Sequence, residues 1–275
     1  MKVAILLRVY SRIEDLKYNL QIIRDTWTRN DYYIVVASNG GSDGYVIDEE
    51  SRSKIDNLVL LDENEGHMGG SNQLLHEGLK HVPDDCDYTL ILEADTWLYG
   101  DDLIVKYIPL MQQIQSVWAS ADWYDKYKSV AVDYALINTS FMKQNSHIFS
   151  FGDFPECYVA NCLKYLGAKN ILIKENMPVH VPSYVPSYPY INNFHKRFYV
   201  FPRAKMVTHH VEEIEGGIET KKSYFNIVSS TNYFNEKAVK QLGVERFKMK
   251  FFINLSRCFL KRSWYKEKEY KTLDY

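Results

Sequence analysis

Short apolar runs alternate with amphipathic stretches through the first hundred or so residues, and this alternation limits the fold more than any other feature. Val3 to Val9 reads as a buried strand, rich in branched side chains. Ser11 and Glu14 then predict a capping box, and Ile13, Leu16, Leu20, Ile23 and Trp27 recur at helical spacing as one apolar stripe. Tyr33 to Ala37 reads as a second strand, closed by the turn signal Ser38-Asn39-Gly40-Gly41-Ser42-Asp43-Gly44. Leu58 to Leu61 is a third strand, Gly69 to Leu79 a helix and Tyr88 to Leu92 a fourth strand. Strands and helices in this order imply βαβ units, a mostly parallel central sheet flanked by helices, and right-handed crossovers. Ligands of such sheets bind beyond the carboxyl ends of the strands. The polar and glycine-rich segments that follow these strands all fall at that edge.

Bulk properties narrow the classes. A chain of 275 residues suits one large α/β domain with a small appendage. Its net charge of -2 gives no general electrostatic case for nucleic acid, so no nucleic-acid partner is expected. The apolar run from Val3 is ended by Arg8, too short for a signal peptide or a membrane span. The four cysteines (Cys86, Cys157, Cys162 and Cys258) form no CxxC pair and read as reduced thiols of a cytoplasmic protein.

The second half is less regular. Asp153 to Gly167 reads as a helix and Asn170 to Ile173 as a strand. Val181 to Tyr188 is a short proline-containing tandem that reads as a stiff extended crossing, or as a loop offering Tyr184 and Tyr188 to a ligand. From Lys248 to Lys271, Phe251, Phe252, Phe259 and Trp264 interleave with eight Lys or Arg. That pattern fits peripheral membrane contact, and equally a basic helix packed on the core.

Leu90-Ile91-Leu92-Glu93-Ala94-Asp95-Thr96-Trp97 carries the strongest chemical signal: a buried strand running into two carboxylates. On an extended chain, residues two apart point to one side. Hard oxygen donors at a strand end suit Mn2+ or Mg2+, which keep positions open for phosphate oxygens. The plainer reading is a polar strand end with Asp95 capping a helix. In Asn64-Glu65-Gly66-His67-Met68-Gly69-Gly70-Ser71-Asn72, the glycines allow close backbone approach and a helix N-terminus follows that attracts anions. It is neither a GxGxxG fingerprint nor a P-loop.

In this order the motifs resemble the family 2-type glycosyltransferases of the GT-A fold. Val9-Tyr10-Ser11-Arg12 stands at the opening turn, Ser38 to Gly44 at the Asp-Asn-Gly-Ser-Thr-Asp-Gly-like segment, and Asn64, Gly66, Gly69 and Asn72 match Asn-x-Gly-x-x-Gly-x-x-Asn. Glu93-Ala94-Asp95 takes the place of the Asp-x-Asp metal motif. The resemblance implies that Val9, Tyr10, Arg12, Ser38, Asn39, Gly69, Asn72, Glu93, Ala94 and Asp95 bind a nucleotide sugar, with Asp95 the main metal ligand. It departs at Ser38, where the family has an Asp that grips the base, and at Glu93, which replaces the first Asp.

The resemblance further implies a carboxylate base at the start of a late helix. Glu156 in Phe154-Pro155-Glu156-Cys157-Tyr158 fits, with Asp153 in reserve and Asp122 and Asp133 as outside candidates. The competing reading makes Asp153 and Glu156 a capping box around Pro155. A metal-binding histidine, as in some relatives, would be His209, its neighbour His210, or His180.

The expected protein is therefore an inverting, metal-dependent glycosyltransferase using a nucleotide-diphosphate sugar and a glycan or lipid-linked acceptor, cytoplasmic and peripheral at a membrane. Residues 1–215 would form the GT-A domain (1–100 for the nucleotide sugar, 101–215 for the acceptor) and 216–275 a C-terminal helical extension. The rivals are a non-catalytic nucleotide- or glycan-binding module, and a sugar-phosphate nucleotidyltransferase. The latter would need a glycine-rich N-terminal loop where Arg8 to Arg12 has none.

Overall fold

The computed structural model describes residues 1–121, 129–152, 154–173, 199–201, 204–208, 216–230 and 270–273. Its elements in chain order are β1 (Lys2–Val9), α1 (Ile13–Thr26), β2 (Asp31–Ser38), α2 (Glu49–Arg52), β3 (Asn57–Leu60), α3 (His67–Lys80), β4 (Tyr88–Glu93) and β5 (Trp97–Leu98). There follow α4 (Asp102–Ile114), β6 (Trp118–Ser120), β7 (Tyr134–Asn138), α5 (Thr139–Gln144), α6 (Pro155–Tyr165), β8 (Asn170–Ile173), β9 (Tyr199–Phe201), β10 (Met206–Thr208), α7 (Gly217–Ser229) and β11 (Tyr270–Leu273).

Eight strands form the main sheet in the order β11-β8-β6-β7-β4-β1-β2-β3. β7 and β11 run against the others, so the sheet is mostly parallel, as the alternation of strands and helices requires. A second sheet, β5-β10-β9, stands apart from it. Every residue of β1 from Val3 to Val9 is buried, Arg8 included, because helices cover both faces. Ala4 and Leu6 pack with Leu74, Leu75 and Leu79 of α3 and Val159 and Leu163 of α6. Val3, Ile5 and Leu7 pack with Leu16, Leu20 and Ile23 of α1 and Ile104, Tyr107 and Met111 of α4. The product is a three-layer sandwich with two apolar cores. The mostly parallel sheet flanked by helices is the architecture expected.

Local chemistry departs from expectation at two helix starts. α1 begins one residue late, with Arg12 as N-cap and no side-chain cap bond. The Ile13 amide donates to the Ser11 carbonyl at 3.0 Å, which advances the turn and leaves Glu14 at the second helical position, out of reach of a capping box. α6 begins at Pro155 behind Phe154, whose φ of 57° is left-handed. A box needs its acid three residues past the N-cap, and Glu156 lies two past Phe154. Among the described residues no helix is long and apolar enough to cross a membrane, and Cys86, Cys157 and Cys162 are in no disulfide. Cys258, the Val181–Tyr188 tandem and residues 248–269 of the basic tail lie outside the described residues.

Candidate active site

The register of the parallel strands brings the motifs together. Arg8 of β1 is level with Ala37 of β2 and Glu93 of β4, and Val9 with Ser38. Val9, Ser38 and Asn39 are buried at this edge, while Tyr10 turns outward. The Tyr10 hydroxyl donates to Asp43 at 2.9 Å, and its ring meets Tyr45 edge-on with centroids 5.2 Å apart. Together they form an exposed aromatic rim. Arg12, half-buried, closes this corner as the N-cap of α1.

α3 begins after Gly66, whose φ of 86° favours glycine. Asn39 Nδ2 ties β2 to this helix start, lying 3.3 Å from Asn64 Oδ1, 3.2 Å from the Gly70 carbonyl and 3.1 Å from Gln73 Oε1. Its Oδ1 is buried without a partner. A Cβ on Gly70 would stand 2.0 Å from Asn64 Oδ1, so only glycine fits while that contact persists. Gly69 meets only the Glu65 side chain, at 3.1 Å. Asn72 faces elsewhere: its Nδ2 donates to the Phe151 carbonyl at 2.6 Å.

The acidic motif is a turn and not an extended strand end. The Thr96 amide closes onto the Glu93 carbonyl at 3.0 Å, so Ala94 and Asp95 are the corner residues. Strand alternation therefore does not relate the two carboxylates, and Asp95 caps no helix, because β5 follows. The Glu93 side chain is 28% exposed and forms an ion pair with Arg8, whereas Asp95 is buried. Arg8 also donates to Ser71 Oγ at 2.5 Å and to the Val132 carbonyl at 3.0 Å, so one guanidinium joins the acidic turn to the first turns of α3.

Behind the turn lies a cluster from distant sequence. Asn19 Nδ2 of α1 reaches the carbonyls of Glu93, Ala94 and Thr96 at 3.3, 3.1 and 2.9 Å. The Lys221 ammonium of α7 donates to the Asp95 carbonyl at 2.6 Å and to Asp15 Oδ1 at 2.5 Å, and sits 4.2 Å from the centre of the Trp97 ring. Lys221 is wholly buried. Burial lowers its pKa from the usual lysine value against the pull of Asp15 and Asp95. Burial likewise pushes the Asp15 carboxyl up to about 6, and Asp95 adds to that while Lys221 opposes it.

The second half approaches through residues 130–133. The Val130 amide donates to the Glu156 carbonyl at 3.1 Å, Val132 accepts from Arg8, and the Asp133 carbonyl accepts from the Glu93 amide at 3.0 Å. Asn72 and His76 of α3 hold Phe151 and Ser150, just before α6. The first turn of α6, with Glu156 half-exposed, is thereby tied to the strand ends from two directions. Thr208, the residue before His209, hydrogen-bonds Thr96 between hydroxyls at 2.7 Å, one residue past Asp95. Asp153, Asp122, His180, His209 and His210 themselves lie outside the described residues.

Among the described residues no group of three or more His, Cys, Asp or Glu is disposed to hold a metal. Mn2+ and Mg2+ take as few as one or two protein carboxylates and complete their shell with phosphate oxygens and water, so a carboxylate at this turn is enough to hold one. Glu93 is paired to Arg8, and it is the resemblance that makes Asp95 the main ligand.

Sequence reasoning did not find Arg8, Asn19, Asp15 and Lys221. Arg8 had a signal, a charge inside a buried strand. Asn19 had a fainter one, an amide in a helix that is otherwise buried on that side. Lys221 had none.

No family model matches the chain, and no curated protein matches it. Solved structures do. The mannosyltransferase PcManGT from Pyrobaculum calidifontis, in complex with GDP-Man and Mn2+, is 11% identical over 94% of this chain and 75% of its own, with a TM-score of 0.50. TarS 1-349 from S. aureus is 13% identical over 53% of this chain, with a TM-score of 0.40, and the chain spans 49% of that fragment. A 4-diphosphocytidyl-2C-methyl-D-erythritol synthase from Anaerococcus prevotii is 11% identical over 60% of this chain and 84% of its own, with a TM-score of 0.42. At such identities the likeness is one of fold, and the mannosyltransferase carries it over nearly the whole chain: the fold is of GT-A type.

Proposed function

We propose that this chain is an inverting glycosyltransferase that moves a sugar from a nucleotide-diphosphate donor to an acceptor hydroxyl, with Mn2+ or Mg2+ as cofactor. The observation that supports the reading is the convergence of three strand ends, a glycine-opened helix and an acidic turn on one edge of a GT-A sheet. In this reading Val9, Tyr10, Arg12, Ser38 and Asn39 hold the nucleoside, Gly69 belongs to the helix start that faces the diphosphate, and Asn72 in the next turn holds that helix to the Phe151 carbonyl. Asp95 and Glu93 with Ala94 between them, joined by His209 or His180, would hold the cation, which supplies neutralisation of the charge gathering on the departing diphosphate.

Glu156, with Asp153 in reserve, accepts the proton of the acceptor hydroxyl as it attacks the anomeric carbon opposite the diphosphate. Its half-exposed position on a helix start lets an acceptor reach it from solvent. The acceptor is a glycan or a lipid-linked sugar. A cytoplasmic location, with membrane contact through the basic aromatic tail, completes the proposal.

The test is hydrolysis of a panel of nucleotide sugars with Mn2+. Slow, metal-dependent release of one nucleoside diphosphate is expected, reduced about a hundredfold or more in Asp95→Ala. Glu156→Gln should keep donor binding and lose transfer by about a hundredfold or more. No metal-dependent binding or release from any donor would overturn the reading in favour of a non-catalytic module.

A further inference from the structure

The carbonyls of the acidic turn are all held from behind. Asn19 takes those of Glu93, Ala94 and Thr96, and Lys221 takes that of Asp95. A wholly buried ammonium is costly unless its donors are met. Here they meet Asp15, the Asp95 carbonyl and the face of Trp97, which together account for its charge. For stability alone an apolar pair in place of Lys221 and Asp15 would serve as well. Lys221 is aimed at the backbone of the residue that the glycosyltransferase reading makes the main cation ligand.

We propose that Lys221 is a positioning residue for cation and diphosphate binding, fixing the backbone of Asp95 from α7 so that its carboxylate is presented in one orientation. The inference rests on the glycosyltransferase reading. Ligand groups work when the groups behind them hold their orientation, and loss of such support lowers metal affinity by about 10- to 100-fold. Lys221 also makes α7 part of the site: a helix joined to Asp95 across 126 residues of sequence controls the pose of the acidic turn.

The experiment compares wild type with Lys221→Met and with Asp15→Asn/Lys221→Met. The double variant removes both buried charges, so it remains folded and informative if the single variant does not. Affinity for GDP, UDP, ADP, CDP and dTDP is measured by calorimetry with and without Mn2+, and amide exchange is followed at Ala94 to Thr96 against Leu90 to Leu92 of β4. Expected are exchange at the turn raised about tenfold with β4 unchanged, Mn2+-dependent affinity lowered about tenfold or more, and metal-free affinity within about twofold of wild type. Wild-type Mn2+-dependent affinity in a folded variant overturns the inference and leaves the glycosyltransferase reading standing. So does an equal fall in metal-free and metal-dependent binding, which would mark a general structural defect. Wild type that binds none of GDP, UDP, ADP, CDP and dTDP, with or without Mn2+, sinks that reading and the inference with it.

Discussion

Gly40, two residues past β2, packs against the backbone just past the end of β1. A Cβ there would stand 2.3 Å from the Tyr10 carbonyl oxygen, a backbone atom that cannot swing aside. Gly41, next in the chain, has nothing within 4 Å of its Cβ position and no left-handed φ. Gly40→Ala should therefore destabilise the protein by about 2 kcal/mol through overpacking, while Gly41→Ala stays within about 0.5 kcal/mol of wild type. Urea unfolding of both variants checks this, and equal effects would show that the strand ends yield more easily than the geometry implies. The same contrast explains what could be read in advance. Ser38, Asn39, Gly69 and Glu93 adjoin strand ends or a helix start, so local pattern located them. Asn19 and Lys221 act on the acidic turn over separations of 74 to 126 residues, and no local pattern encodes such partners.

Most elements with a strong period were legible, and those without one were not. β1, β2, β3, α3, β4 and β8 fall within a few residues of their expected bounds. α4 was overlooked although Leu103, Ile104, Tyr107, Ile108 and Met111 follow a helical repeat, because Pro109 within it reads as a breaker. β6 and the strands of the small sheet are two or three residues long, and their pairing comes from the tertiary fold.

The start of α4 supplies a prediction of its own. Asp101, buried, accepts from the Arg29 amide at 2.9 Å, from Arg29 Nε at 2.6 Å and from the Tyr32 hydroxyl at 2.8 Å, tying α4 to β2. Burial pulls its carboxyl up, but the bonds from Tyr32 and Arg29 outweigh that and hold it below the usual carboxylate value. A depressed pKa gives stability that is present above the unfolded value of about 4 and is lost as pH falls through the folded value. Asp101→Asn should thus cost about 2 kcal/mol at pH 7, with the gap to wild type narrowing by about half or more near pH 3. Urea midpoints at the two pH values measure it, and a gap that ignores pH would refute the ionic account.

The molecule closes on itself through α7. Phe225 is buried against Tyr18, Trp97 and Tyr99, with ring centroids 6.2, 5.9 and 6.4 Å away, and Lys221 reaches Asp15 across 206 residues of sequence. A core completed by its earliest helix and by α7 should unfold as one unit, because neither keeps its apolar face dry alone. The expected boundary at 215/216 makes the opposite demand, that residues beyond it can loosen while the sheet stands. Phe225→Ala separates the two. If the core is continuous, the variant loses about 3 to 4 kcal/mol, and far-UV dichroism, tryptophan fluorescence and β4 amide exchange all shift together. If 216–275 is a separate unit, α7 opens at low urea while the exchange of Leu90 to Leu92 keeps its wild-type midpoint. The first outcome would make the stability of the acidic turn inseparable from that of α7, since both then melt in one step. Cation or nucleotide binding at Asp95 would in that case raise the unfolding midpoint of the whole chain.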